Sequence, residues 1–481
     1  MYLIIYSLLT LIVFFVFWRF PKIGIYFVAA TAPFLGWVLD FSRFTWTQNL
    51  PIKNIQAPVA DFFALILFSA FALRFFLDKF RKKRRTDIAI TLNGSAFPYF
   101  ILFLFAGLLS LINVPADNLA GSFKYLLRPI FFFYLMWLFL PVAVIETKKT
   151  LERVAHIMLG AGAVAGVFGW LPLIFGDATL YNLRRLTPGA LWGVAPLTFN
   201  HNILAEALVL AVPLALYFFN KTAGAANSTD IARANGIVGE NSIGAGAANT
   251  ANVISGANEN SANAAGAAKK YYFLLFVFLI ITALLTFSRA GWIALLAEVI
   301  TYFWLVRTNF KSAELLKKTG AIALLLSPFI IYMIIFSASS IATSSNTTRW
   351  DMTQIAWLNF SRHPLIGNGV GTFTTLLADT RQFTVEYGNT IESHGVIQKL
   401  ISETGLLGLV AFFLFVYGVI AKLYPLAKSG KEGGLGMFLF LGFIGSLIFQ
   451  LFNTSYFNQH LWLVAGVGLA AAKILKKDDL A

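Results

Sequence analysis

The sequence predicts an all-α fold, a polytopic bundle of about 12–14 transmembrane spans with one large extracytoplasmic loop holding short helices. Three observations predict it. The 481 residues are 58% hydrophobic and include 49 Phe, with a mean hydropathy of +0.73, which is more apolar surface than a soluble globule buries. Apolar runs long enough to cross a bilayer recur along the chain. Charged residues make up only 12% and gather mostly between those runs.

The runs fall near 2–18, 22–40, 60–79, 97–113, 124–145, 153–175, 203–219, 271–287, 290–306, 320–337, 403–423, 433–450 and 459–474, about thirteen helices of roughly twenty residues each. Met1 to Phe17 lacks a basic leader and a small-residue cleavage site, so it reads as a retained first span. The chain divides into N-terminal helices (1–175), an outer loop with the following span (176–220), and a low-complexity segment (221–270). Further helices (271–337), the large loop (338–402) and the C-terminal helices (403–481) complete it. The low-complexity segment is rich in Ala, Gly, Asn and Ser, and reads as a disordered linker.

Lys and Arg exceed Asp and Glu by 15, an excess that sets topology in a membrane chain rather than binding nucleic acid. Arg81 to Arg85, Lys148-Lys149, Lys269-Lys270, Arg307 with Lys311, Lys317-Lys318, Lys428 with Lys431, and Lys473 with Lys476-Lys477 alternate onto one face, the cytoplasmic one by the positive-inside rule. The opposite face receives 41–59, 114–123, 176–202, Ser288-Arg289, 338–402 and 451–458. The absence of cysteine removes disulfides and thiolate chemistry.

Arg289 follows Thr286-Phe287-Ser288 between two apolar runs. An arginine there is costly against lipid, so it enters a protein cavity, meets an anion, or snorkels to headgroups. The loop 176–202 carries Arg184 and Arg185 on a face where positive charge is scarce, which points to a phosphate or to an ion pair with Asp177. Glu206, one turn into the next span, is either protonated or paired with a neighbouring helix.

In the large loop, Asn346-Thr347-Thr348 offers N-caps for an amphipathic helix from Arg349 to Phe360, with Trp350, Ile355, Trp357 and Leu358 as its apolar residues. Arg349 then sits in the first turn, the end that disfavours a cation, and calls for an anion. Pro364 ends the helix, and Gly367, Gly369 and Gly371 read as backbone turns. His394, one of 5 histidines, precedes a helix expected near Ile401. A neutral imidazole is the best-suited general base near pH 7, and a solvated loop histidine is the alternative. His363, His394 and the outer carboxylates show no metal-ligand spacing.

Three blocks together resemble the O-antigen ligase and polymerase superfamily of membrane glycosyltransferases. They are Asn202-Ile203-Leu204-Ala205, the break from Thr286 to Arg289, and the large loop. The loop contributes Arg349, Pro364-Leu365-Ile366-Gly367-Asn368-Gly369, and His394 shortly before Glu403-Thr404-Gly405-Leu406-Leu407-Gly408. The resemblance implies a polyprenyl diphosphate-linked glycan donor and a glycan, lipid or protein acceptor. It also implies transfer at the outer face of the cytoplasmic membrane without metal or cofactor. It matches His394 to a general base, Arg289 to an arginine holding the diphosphate, and Arg185, or else Arg184, to a second such arginine. Arg349 would assist. Relatives commonly carry Asn after the histidine, where this chain has Gly395. A transporter or flippase of the same lipid-linked glycans would also want a helical bundle with outer arginines. A structural scaffold would leave those arginines unexplained.

Overall fold

The computed structural model describes residues 2–40, 56–80, 92, 94–175, 185–190, 194–234, 248–306, 340–378, 380, 392–429, 434–453 and 458–478. The span expected at 320–337, the basic residues from Arg81 to Arg85, Asp177 and Arg184 lie outside them.

The chain opens with α1 (Tyr2–Arg19) and α2 (Pro21–Thr31), which meet at a bend of 119°. Pro21 lacks the N–H that would continue α1 and suits the first position of a new helix. The expected span 22–40 stops at Thr31: Ala32 keeps helical angles and its N–H still reaches the Val28 carbonyl, but Pro33 has no N–H with which to extend the ladder. The chain then enters β1 (Val38–Asp40), which pairs antiparallel with β2 (Gln56–Pro58).

There follow α3 (Val59–Phe80), α4 (Phe97–Ser110), α5 (Ala116–Val144), α6 (Lys148–Ile174), α7 (His201–Ala234), α8 (Ala248–Leu285) and α9 (Arg289–Val306). Around Pro129, α5 widens into π-helical turns, as expected where a proline removes a ladder hydrogen bond. Helix covers 201–234 and 248–285, so most of the segment read as a linker continues α7 and α8. Its alanines supply the highest helix propensity of any residue type, which polarity alone does not reveal. The loop region holds α10 (Ser340–Arg362), α11 (Phe373–Ala378) and α12 (Val396–Glu403). The chain closes with α13 (Gly405–Ser429), α14 (Leu435–Phe452) and α15 (Gln459–Asp478).

Among the described residues 8 helices are long and apolar enough to cross a membrane, or up to 9 with the bent pair, and α4 and α15 are shorter apolar helices. This is a multi-pass membrane protein. The axis of the bundle is α14, which packs against α7, α9, α13 and α15. It is apolar all round, as a helix buried on every side must be. Leu8, Leu9, Ile12 and Phe15 on α1 remain exposed, the face a bilayer covers.

Candidate functional site

The site forms where α7, α9, α10 and α12 meet the last turn of α14. The break between α8 and α9 is tight: Phe287 has φ of +50°, a left-handed conformation that is rare and strained for a bulky residue. The Thr286 hydroxyl accepts from the Ser288 N–H, and Trp292 Nε1 donates to the Leu284 carbonyl across the break. Ser288 Oγ accepts from the Gly291 N–H and so caps α9. Arg289 is thereby the first residue of α9, aimed out of the span. Its Nη1 donates to Asn346 Oδ1 at 2.8 Å.

Arg185 lies close to the same break, because the Leu186 N–H donates to the Leu285 carbonyl at 2.7 Å. Its guanidinium meets His201 Nε2 at 3.2 Å, at the start of α7. The next residue, Asn202, accepts from Ser288 Oγ at 2.8 Å. Arg185 and Arg289 are thus joined through His201, Asn202 and Ser288. Glu206, deeper in α7, accepts from Gln450 of α14 at 3.1 Å and lies 3.4 Å from His460 Nδ1 on α15, so neighbouring helices partner it.

Arg349 occupies the middle of α10. The helix starts at Ser340 rather than at Arg349, so Asn346 lies within it, and its side chain accepts from Arg289 instead of capping the start. Arg349 therefore lies away from the helix N-terminus, and its position on the helix does not call for an anion. Asn346 and Arg349 are three apart and share a face, so α10 presents both to Arg289. Arg349 Nη1 donates to the Phe452 carbonyl at 3.1 Å, at the α14 C-terminus, which favours a cation. Its Nε is buried without a partner among the described residues. Trp350, Trp357, Leu358 and Leu365 are exposed, whereas Met352, Ala356, Phe373 and Leu377 form a small core.

His394 immediately precedes α12, which begins at Val396 instead of near Ile401. A Cβ at Gly395 would lie 2.8 Å from the Leu451 carbonyl oxygen, so the α14 terminus reaches the backbone beside His394. Gln398 Nε2 donates to the Arg349 carbonyl at 3.3 Å, tying α12 to α10. Burial first, then the positive fields of Arg349 and Arg289, push the His394 imidazole down to about 4. Burial and the field of Arg289 lower Arg349 as well. The three groups sense one another, and the histidine is neutral at physiological pH.

The loop after α10 is bolted to the α12–α13 junction. Asn368 and Gly369 donate backbone N–H groups to the Ser402 and Glu403 carbonyls at 3.0 and 2.8 Å, and Leu406 and Leu407 donate to Pro364 and Leu365 at 2.9 and 3.0 Å. Asn368 Nδ2 donates to both the Asn359 and Ser402 carbonyls. Gly367 has φ of +71°, and a Cβ there would lie 2.4 Å from the Glu403 backbone, so this position is glycine by necessity. Beneath the junction Lys399, fully buried, reaches Glu392 at 2.6 Å and Glu403 at 2.9 Å. Its ammonium sits 4.7 Å from the Tyr125 ring.

Of the residues singled out from sequence, Arg289, Arg349 and His394 come together, and Arg185 adjoins them through His201 and Asn202. Asn346 was read only as a helix cap, and Asn368, Gln398, Lys399 and Glu403 had no assigned role. The blocks containing Asn368 and Glu403 were visible as motifs, but Lys399 looks like an ordinary surface cation.

No curated protein matches the chain. Residues 274–413 match the family model described as O-antigen ligase, a segment that runs from α8 into α13 and includes Arg289, Arg349 and His394. Over that segment the chain is similar to the O-antigen ligase family.

Proposed function

We propose that the chain is a membrane glycosyltransferase that moves a glycan from a polyprenyl diphosphate-linked donor to an acceptor hydroxyl on the outer face of the cytoplasmic membrane. The observation that carries the reading is the meeting of two guanidiniums, Arg289 and Arg349, around the neutral imidazole of His394. A glycosyl diphosphate already holds a good leaving group. Catalysis then needs stabilisation of the departing negative charge and removal of the acceptor proton.

In this reading Arg289 and Arg185 clamp the diphosphate and Arg349 lies beside them, guanidiniums being suited to bidentate phosphate contact. The acceptor oxygen attacks the anomeric carbon from the side opposite the diphosphate. His394 takes the hydroxyl proton as the new C–O bond forms. The old anomeric C–O bond breaks, its electron pair leaves with the polyprenyl diphosphate, and the anomeric configuration inverts.

The test is the product formed from a labelled polyprenyl diphosphate glycan and acceptor with the purified chain in proteoliposomes. Labelled acceptor and free polyprenyl diphosphate are expected. Donor recovered intact on the other leaflet would identify a flippase instead.

A further inference from the structure

A cavity lies at the end of the bundle far from His394. It is an open concavity of about 580 Å³ lined by Lys149, Arg153, His156, Phe218, Lys221 and Tyr272 among others. Lys221 is twenty residues beyond His201 on α7, which at about 1.5 Å per residue places the two about 30 Å apart. Its volume is that of a small-molecule site.

The charges in this cavity do not cancel. Its acidic side chain, Glu152, is taken by Lys221 at 2.8 Å and accepts from the Tyr217 hydroxyl. Lys149 and Arg153, one turn apart on α6, have no ion pair among the described residues. They stand in the first two turns of α6, the positive end of a helix dipole. The floor is aromatic: the His156 ring lies 4.2 Å from Phe218, and its Nε2 meets the Tyr272 hydroxyl at 2.8 Å. Two unmatched cations above an aromatic floor in a concave site suit a phosphate-bearing anion.

The surroundings choose between a free phosphate and a lipid headgroup. On one flank α2 exposes Ile23 and Phe27, and on the other α8 exposes Tyr271, Phe273 and Leu274. A ligand with acyl chains covers this apolar surface while its phosphate meets the cations, which inorganic phosphate cannot do. We propose that this cavity binds the headgroup of an anionic glycerophospholipid. The proposal does not depend on the glycosyltransferase reading.

The test titrates the purified full chain in neutral detergent with phosphatidylglycerol, phosphatidylcholine or inorganic phosphate, following the unfolding temperature and lipid adducts by native mass spectrometry. Saturable stabilisation and retained adducts are expected with phosphatidylglycerol alone. The double variant Lys149→Gln/Arg153→Gln should weaken its apparent affinity about 25-fold, about fivefold per cation removed. The charge-keeping pair Lys149→Arg/Arg153→Lys should retain it. If the double variant proves unstable, Lys149→Gln alone should show the single fivefold step. Equal binding of phosphatidylcholine, unchanged affinity in the glutamine variants, or matching saturable stabilisation by inorganic phosphate would each overturn the proposal.

Discussion

Lys399 reaches back to Glu392 at 2.6 Å, closing a polar chord over the segment that contains His394. The lysine is itself anchored by Glu403, so the chord fixes the backbone on both sides of the imidazole. Lys399→Met removes the cation and leaves the fully buried Glu403 without its charge partner. Loss of one partner from a buried pair costs about 3–5 kcal/mol, and the unfolding temperature should drop accordingly. Lys399→Met/Glu403→Gln should regain part of that stability but not the transfer rate, because Glu392 stays untethered. Full activity in the double variant would show that the chord only supports the fold.

On the proposed reaction His394 is the base in its deprotonated form, so its protonation should shut transfer down. With the group pushed down to about 4 in the free protein, kcat/KM should hold as pH falls from 7 and decline only near that value. Arg349→Gln removes one of the positive fields that lower it, so the acid limb should move to higher pH. Donor diphosphate neutralises the same fields, so the acid limb of kcat should lie above that of kcat/KM. His394→Ala should slow transfer by about 10²–10⁴. A limb unmoved by Arg349→Gln would remove the electrostatic link.

Arg289 is capped into place by Ser288 and touches Asn346. Arg289→Lys keeps the charge but loses the planar fork, and should impair transfer nearly as much as Arg289→Ala, by about 10²–10³ in kcat. Steady-state rates of the two variants decide it, and near-normal turnover by the lysine variant would rule out bidentate clamping.

Gly395 stands where relatives of the resembled family commonly carry Asn. With the Leu451 carbonyl oxygen 2.8 Å from any Cβ, Gly395→Asn should force the His394 segment away from α14 at a cost of about 1–3 kcal/mol. Loss of transfer together with a lowered unfolding temperature is expected, and a stable, fully active variant would show that the α14 terminus yields.

The membrane bundle was legible because lipid demands long apolar runs, and hydropathy displays them directly. Its interruptions were less so: Pro21 and Pro33 are visible, but the 119° turn of α2 against α1 arises in three dimensions. The arginines stood out because positive charge at a span break is rare. Asn346 was misread as a cap, since its preference for helix ends gives no sign that Arg289 would claim its side chain. Lys399 was hidden for a related reason. Nothing local distinguishes a buried lysine from a solvated one when its partners are Glu392, Glu403 and the ring of Tyr125.

The mutual nearness of Arg289 and Arg349 has a consequence for turnover. If, as proposed, the two cations receive a diphosphate, they meet it again after the glycan has gone, when the free polyprenyl diphosphate carries up to one more negative charge than the donor did. On the proposed reaction the spent carrier should hold on at least as firmly as the loaded one. Departure of that carrier would then limit the cycle, and added polyprenyl diphosphate should compete with donor in initial-rate measurements. Sustained synthesis would depend on whatever clears the spent carrier from the membrane.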